Sequence, residues 1–274
     1  MLIPEAPQTM ASQEGHFGDG TVRGAGVESA ALSAAPRPLG LYSVPEVASY
    51  IQANRSQVLR WATGYTFKNS QNQKQRSASV LYVPLGKADR SYVAAFPDLI
   101  ELRVVHLFRK ASISMPTIRV VVRRAARQFG TDYPLGSLNL LHDGQNIFRE
   151  IDIGEILKEE DGRPIPRQKI VEDLKTGQTV MRGLVELKDF EFNSHSVSRW
   201  WPMGKQYRHC IIDPKINFGK PTDPDSRIPL DALFLPYDAG DSVETVMDWF
   251  GVEEEVVQTA IRFFEQFSHN INVA

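Results

Sequence analysis

The sequence predicts an α+β protein, mainly helical with small β elements and built from two modules. Its 274 residues are 42% hydrophobic and 23% charged, a composition that suits a globular chain with two cores. Helix-start signals and apolar residues at helical spacing recur on both sides of a mixed central stretch. We expect a winged module at residues 39–135, a β-containing connecting segment at 136–204, and a β-hairpin with three helices at 205–274.

The net charge of -2 hides an uneven distribution along the chain. Residues 39–136 carry fourteen Lys/Arg and five Asp/Glu, whereas residues 137–274 carry fifteen and twenty-four. A localised basic segment favours a polyanion site, because phosphate neutralisation needs clustered cations. A solvated basic face is the alternative. Residues 1–38 are rich in Ala, Gly, Ser and Pro, so we expect a disordered tail.

The amino-acid composition and the spacing of potential ligand residues make several classes of protein improbable. The single cysteine, Cys210, excludes an intramolecular disulfide and suits the reducing cytoplasm. No run of 18 apolar residues predicts a membrane span. His195, His209 and Cys210 lack metal-ligand spacing, and adjacent strand positions point to opposite faces. Because no phosphate loop or nucleophile elbow appears either, we predict no catalytic residue, no metal and no cofactor.

The ordered chain is predicted to begin with two short helices. Ser43-Val44-Pro45-Glu46 is a capping box that starts the first helix. Ser56 is expected to cap the second helix, which runs from Gln57 to about residue 63. Two helices joined by about three residues are typical of a helix-turn-helix.

A polar stretch and a run of β-formers at residues 79–83 predict a β-hairpin wing whose tip holds three cations. Cations at a polar tip have no core role and are free to contact phosphates. An aromatic residue after the second helix has the alternative role of locking that helix to the wing from within the core. The candidate DNA contacts are Arg55, Ser56, Gln57, Arg60, Trp61, Lys68, Lys74 and Arg76.

Two longer helices follow, from residue 97 to about 110 and from 115 to 129. The second has arginines on its predicted outer side, which serve either as a further backbone-contacting face or for solubility. The Asp143-Gly144 turn predicts a hairpin at residues 138–148. The outward arginines are Arg119, Arg123, Arg124 and Arg127.

Three helices separated by short Gly-containing joints are predicted at residues 230–238, 242–250 and 253–267, after a strand-like stretch at 209–213. The apolar residues here exceed what a unit of about 65 residues easily buries, which predicts a dimer whose interface lies in this module. The candidate residues of a dimer or partner interface are Ile211, Lys215, Ile216, Phe218, Lys220, Arg227, Ile228, Leu230, Leu233 and Phe234.

Two resemblances follow from these residues. Residues 42–48, Val58-Leu59-Arg60-Trp61 and residues 98–105 resemble the MerR-type winged helix. Residues 210–221, 227–233 and 239–244 are similar to the small antitoxin domain that pairs with PIN-like toxins. From residue 39 onward the chain therefore resembles a VapB-type two-domain antitoxin.

This resemblance implies a homodimer that binds its own operator DNA and neutralises a PIN-like ribonuclease toxin. Residues 205–274, together with the preceding acidic segment, would then contact the toxin, with Lys215, Lys220 and Arg227 facing its acidic metal ligands. Two alternatives stay open. One is a ligand-sensing MerR-like regulator with a pocket between residues 90 and 200. The other is a protein-interaction adaptor that does not bind DNA.

Overall fold

The computed structural model describes residues 40–88, 90–137 and 186–267. Within these ranges the chain combines α-helices with small antiparallel sheets, so the predicted α+β class is confirmed. The predicted tail at 1–38 and the predicted hairpin at 138–148 lie outside the described residues. Most of the predicted connecting segment lies outside them as well.

The described elements follow one another in a simple order. The helices are α1 (Val44–Tyr50), α2 (Arg55–Thr63), α3 (Phe96–Lys110), α4 (Met115–Phe129), α5 (Leu230–Asp238), α6 (Val243–Phe250) and α7 (Glu254–Phe267). The strands are β1 (Leu41–Ser43), β2 (Tyr65–Lys68), β3 (Lys74–Ser77), β4 (Gly86–Ala88), β5 (Ser91–Ala95), β6 (Phe190–Phe192) and β7 (Val197–Trp200). β5 lies between β1 and β4, β2 pairs with β3, and β6 pairs with β7.

The first two helices start at side-chain caps. The backbone N–H of Ser43 donates to the Glu46 carboxylate at 2.7 Å, and the Ser43 hydroxyl accepts from the Glu46 N–H, so the predicted capping box is confirmed. The predicted cap of α2 is wrong. Asn54, not Ser56, caps this helix, because the Asn54 side chain accepts from the Ser56 N–H at 2.9 Å. The first turn of α2 therefore includes Arg55.

The β2–β3 hairpin is shorter than predicted. Its strands place Lys68 opposite Lys74. The turn between them is held by Asn69, whose side-chain oxygen accepts from the N–H groups of Gln71 and Gln73 at 3.0 and 2.9 Å. Side-chain acceptance by asparagine within a turn mimics a backbone turn and fixes the loop locally. The three predicted cations consequently lie on the strands rather than at the tip.

The segment after β3 packs onto the helices instead of extending the hairpin, so the predicted strand at residues 79–83 is wrong. The Val80 N–H donates to the Trp61 carbonyl at 2.8 Å, and Arg119 Nε donates to the Ala78 carbonyl at 3.1 Å. Main-chain groups bonded to other partners are not available to a sheet. Arg119 is buried where it contacts this segment, so its predicted outward position is wrong.

The ends of α3 and α4 agree with the prediction. The Ser114 hydroxyl accepts from the Thr117 N–H at 3.2 Å at the start of α4, and Gly130 ends that helix in the left-handed conformation. At the start of α3 the Asp98 carboxylate accepts from the Ala95 N–H at 2.8 Å. Caps of this kind satisfy backbone groups that a helix end leaves unpaired.

The three predicted C-terminal helices are present, and α5, α6 and α7 begin within one residue of the predicted positions. The β-hairpin predicted for this module is wrong for described residues 205–267, where only isolated bridges join Ile211 to Thr222 and Thr222 to Pro229. A hairpin of two paired strands, β6–β7, precedes this region, with a register shift between Glu191 and Phe192. Trp200 at the end of β7 bridges to Ile212 and so connects the hairpin to the C-terminal part.

Residues from both ends of the described chain share one hydrophobic core. The Tyr42 hydroxyl donates to the Gly219 carbonyl at 3.0 Å, and the Tyr50 ring lies 6.0 Å from the Phe263 ring. The Ser49 hydroxyl also donates to the main chain of α7. Gly219 has a φ of +80°, and a Cβ there would lie 2.1 Å from the Tyr42 hydroxyl. Only glycine allows this close approach.

Several residues predicted for an interface are buried inside the chain instead. Ile211, Leu230 and Leu233 are fully buried within the chain. A side chain without exposed surface makes no direct contact with another protein, so the interface prediction is wrong for these three residues. The C-terminal module can bury more apolar residues than predicted, because residues of α1 contribute to the same core.

Glu101 is an ionisable group inside the core, with 1% of its surface exposed. Its Oε1 atom accepts from the Gly136 N–H at 2.7 Å, and its buried Oε2 atom has no hydrogen-bond partner among the described residues. Burial raises the pKa of this carboxyl to about 8, although the N–H groups of Gly136 and Leu135 act in the opposite direction. The folded protein therefore holds a proton that the unfolded chain releases at lower pH.

We expect Glu101→Gln to remove a pH dependence of stability. Between the ordinary pKa of 4.5 and the folded value of about 8, the folded state binds more protons than the unfolded state. The contribution of Glu101 to the free energy of unfolding therefore falls as pH rises through this window. The melting temperature of Glu101→Gln minus that of the wild type should rise from pH 4.5 to 8. Glu254→Gln, at an exposed position, is the matched control, and parallel curves for Glu101→Gln and the wild type would contradict the assignment.

Candidate functional site

The exposed side of α2 carries most of the predicted DNA contacts. Arg55, Ser56, Gln57 and Arg60 are all exposed. Arg60 follows Ser56 by four residues and Gln57 by three, so it shares one side of the helix with both. The opposite side is buried, since Val58, Trp61 and Ala62 face the core at the same helical spacing.

Trp61 is a core residue. Only 9% of its surface is exposed, its ring lies 6.2 Å from the His106 ring, and its carbonyl accepts from Val80. The prediction of Trp61 as a DNA contact is therefore corrected in favour of the alternative, a side chain that locks α2 in place. Burial lowers the pKa of His106 to about 4, so the ring beside Trp61 is neutral at physiological pH.

Three cations share one face of the β2–β3 hairpin. Lys68 lies opposite Lys74, and Arg76 lies two residues beyond Lys74 on the same strand. Since side chains alternate between the faces of a strand, these three point to one side. All three are exposed, whereas Phe67 and Gln75 on the other face are half-buried. Like charges directly opposite each other weaken a hairpin, and an anionic partner would relieve that repulsion.

The only charged side chains in the stretch that contains α2 and the β2–β3 hairpin are positive. Residues 47–88 contain six Lys/Arg and no Asp/Glu. The Arg60 guanidinium lies 5.4 Å from the centre of the Tyr65 ring, which joins the last turn of α2 to the start of β2. The helix and the hairpin thus present a basic surface suited to a phosphate backbone.

A second candidate surface is the loop that precedes α5. Lys215, Phe218, Lys220 and Arg227 are exposed there, and Phe218 is 74% exposed. Ile216, Ile228 and Phe234 are half-buried, so part of the predicted interface set remains accessible. Lys220 is not a free charge, because its Nζ lies 2.9 Å from the Asp231 carboxylate.

Buried Asp223 braces this loop. Its carboxylate accepts from the Ser226 N–H and hydroxyl at 2.8 and 2.6 Å and lies 2.8 Å from His209 Nδ1. Burial disfavours ionisation of Asp223, but the hydrogen bonds from Ser226 and His209 outweigh it and hold its pKa below the ordinary value. The Asn217 side chain closes the loop by donating to the Arg227 carbonyl at 2.7 Å. Sequence reasoning missed this network, because its contacts join residues of an irregular loop, such as His209 and Asp223, that follow no helix or strand periodicity.

His209, Asp223 and Asp225 each place one potential metal-ligand atom within 4.8 Å of the others. His209 Nδ1 and both carboxylate oxygens of Asp223 are already engaged within the chain, and Asp225 is exposed. The contacts of His209 and Asp223 are therefore explained by their structural role as a brace of the loop. No helix in the described ranges is both long and apolar enough to cross a membrane.

Comparison with known proteins points to one class. The family model described as "Protein of unknown function (DUF433)" matches residues 211–264, which include the braced loop and most of the three-helix end. A curated protein of Mycobacterium tuberculosis (strain ATCC 25618 / H37Rv), named "Putative antitoxin VapB45", is 25% identical over 231 residues. That similarity covers 81% of this chain and 92% of the relative. Over most of its length the chain is thus similar to a VapB-like antitoxin.

One solved structure shares the fold. The crystal structure of Rv2018 from Mycobacterium tuberculosis superposes with a TM-score of 0.59 at 20% sequence identity. The superposition covers 82% of this chain and 97% of that one. The likeness extends over nearly the whole of the solved chain, so the arrangement described above is a fold that an experimental structure also contains.

Proposed function

We propose that this chain is the antitoxin of a type II toxin–antitoxin pair, which neutralises a PIN-like ribonuclease toxin and binds its own operator as a dimeric autorepressor. The observation that carries the proposal is the similarity to VapB45 over most of both chains. A relative of this kind suggests a non-enzymatic regulator with a toxin as partner. The MerR-like winged helix-turn-helix and the pairing with a PIN-like toxin are parts of the proposal.

The basic surface supports the operator-binding part of the proposal. α1 and α2 are joined by a short turn, and the β2–β3 hairpin follows α2 directly, which is the element order of a winged helix-turn-helix. Gln57 and Arg60 lie on the exposed side of the second helix, the element that meets base edges in this fold. The hairpin cations are placed to hold the phosphate backbone.

The C-terminal region supports the toxin-binding part. Residues 205–274 are proposed as the antitoxin and dimerisation module, and the DUF433 match falls inside this range. With Ile211, Leu230 and Leu233 buried, the exposed candidates are Lys215, Phe218, Lys220 and Arg227, of which Lys220 is paired with Asp231, and the half-buried ones are Ile216, Ile228 and Phe234. Cations on a rigid loop suit the carboxylate-rich metal site of a ribonuclease.

A cavity of about 690 Å³ favours the second candidate function, a ligand-sensing regulator. It lies between residues 97–137 and 195–197, within the range predicted for a ligand pocket, and its described lining includes Ile100, Phe129, Tyr133 and His195. Its volume is in the range of small-molecule sites. Co-purification of a small molecule with the protein, and its loss in Phe129→Ala, would favour this reading over the antitoxin.

Co-expression tests the antitoxin proposal. The proposal requires a PIN-like toxin, which we expect the neighbouring reading frame to encode. We expect this toxin to arrest growth when expressed alone, and the full chain to restore growth when expressed with it. The chain binds the folded toxin in this account, so the two proteins should also purify together. Growth arrest that persists despite soluble full-length chain would overturn the proposed function.

A further inference from the structure

An exposed tryptophan lies on α6. Trp249 is 63% exposed, whereas Trp61 and Trp200 are buried. Leu235 and Tyr237 on the preceding helix α5 are also exposed, Leu235 by 62%. We call the exposed surface of α5 and α6 with these three side chains the α5–α6 face. A large exposed aromatic side chain, tryptophan above all, is typical of the anchor of an interaction site.

The helix that carries Trp249 is fixed at both ends. The Ser242 hydroxyl accepts from the Thr245 N–H at 3.2 Å at its start, and Gly251 ends it in the left-handed conformation. Val246 is its one fully buried side chain, and it anchors the helix to the core. Trp249 is therefore presented on a defined scaffold, with little ordering entropy left to lose on binding.

The α5–α6 face is acidic throughout. Residues 230–250, which span α5 and α6, contain five Asp/Glu and no Lys, Arg or His. Glu244 and Asp248 are one helical turn apart on α6. Asp248 directly precedes Trp249 in this helix. Glu244 is ionised, since hydrogen bonds from its own backbone N–H and from the Ser242 hydroxyl lower its pKa.

The cations that neighbour this region are paired with carboxylates other than those of Asp238, Asp241, Glu244 and Asp248. Lys220 pairs with Asp231, and Arg208 lies 3.5 Å from Glu255. Among the described residues no ion pair involves Asp238, Asp241, Glu244 or Asp248. The negative charge of the face is thus left for an external partner.

This charge decides which class of partner fits. Nucleic acid and anionic lipid surfaces are repelled by it. A second copy meeting the same face across a two-fold axis would bring like charges together. A protein surface rich in Lys and Arg, with an apolar pocket for Trp249, satisfies both the charge and the exposed ring.

We propose that the α5–α6 face docks onto the basic, RNA-binding rim of the toxin and inserts Trp249 as its anchor. This inference rests on the proposed function, because a ribonuclease must carry cations to hold the phosphates of its substrate. The acidic face then occupies the surface that RNA needs, while the cationic loop residues face the acidic metal ligands. Neutralisation follows from exclusion of the substrate from both parts of the active site.

Calorimetric titration of the full chain against the purified product of the neighbouring reading frame tests this face. Trp249→Ala should raise Kd by about 30-fold or more, the effect of losing a central aromatic anchor. Glu244→Gln with Asp248→Asn should raise Kd by about tenfold at low salt and flatten its salt dependence. The controls, Tyr82→Ala and Asp132→Asn, change an exposed aromatic and an exposed acid outside the face and should bind as the wild type does.

The outcomes separate the two proposals. Failure of the wild-type chain to bind would overturn the proposed function. A wild type that binds, with Trp249→Ala and the double variant within twofold of it, would overturn the α5–α6 face alone. The melting temperature of each variant should match that of the wild type, because these side chains lie on the surface. The double variant keeps the test valid if Trp249→Ala is less stable than expected.

Discussion

Phe263→Ala should lower the free energy of unfolding by about 3–5 kcal/mol, the usual result of truncating a buried phenylalanine. Phe263 is 1% exposed and lies where α1 and α7, near the two ends of the described residues, meet. Its ring is 6.0 Å from Tyr50 of α1 and 4.7 Å from Phe267 of α7. Removing it leaves a cavity between these helices that rigid neighbours fill only in part.

Urea denaturation followed by circular dichroism and tryptophan fluorescence measures this effect. We expect one shared transition, shifted to lower urea concentration in Phe263→Ala, because α1 and α7 belong to one core. Phe218→Ala is the matched control, since the same ring is removed from an exposed position. Two separate transitions, with only one shifted, would show that residues 39–135 fold independently of the C-terminal module.

Arg60→Ala should weaken binding to the operator about 10- to 100-fold and binding to random DNA by less. Arg60 is exposed on the side of α2 that it shares with Gln57, and a bidentate contact to guanine discriminates bases by about 1–3 kcal/mol. Fluorescence anisotropy with labelled upstream DNA and a scrambled duplex measures both affinities. Equal weakening on the two duplexes would make Arg60 a backbone contact instead.

The hairpin cations should behave differently from Arg60. Lys74→Ala and Arg76→Ala each remove an exposed cation from one face of the hairpin. We expect both to weaken binding to all sequences equally and to lower the slope of log affinity against log salt by about one per lost phosphate contact. Lys205→Ala removes an exposed cation that lies outside the hairpin, over the Trp201 ring, and is the control. Unchanged affinity in all of these variants would remove the DNA-binding proposal for residues 39–85.

Local signals in the sequence predicted most of the described helices. The Ser43 capping box, the Ser114 cap and the Gly130 end act within a few residues, so they can be recognised without knowledge of the fold. The start of α2 was misplaced because Asn54 and Ser56 are both good caps, and only the geometry shows that Asn54 accepts the hydrogen bond.

Long-range packing accounts for what the sequence could not predict. The strand expected at residues 79–83 is absent because Trp61 and Arg119, distant in sequence, bind that segment. Leu230 and Leu233 were expected at an interface because nothing local indicates that α1 joins the C-terminal core. The exposure of Trp249 could not be predicted either, because an apolar residue on an amphipathic helix is usually buried.

The proposed antitoxin role is tested most directly by titrating the purified full chain into the PIN-like ribonuclease that the proposal requires as its partner and following cleavage of a labelled RNA. The account predicts that cleavage falls in proportion to the chain added and stops once the two proteins are present in stoichiometric amounts. Cleavage that continues undiminished in an excess of folded chain would contradict it.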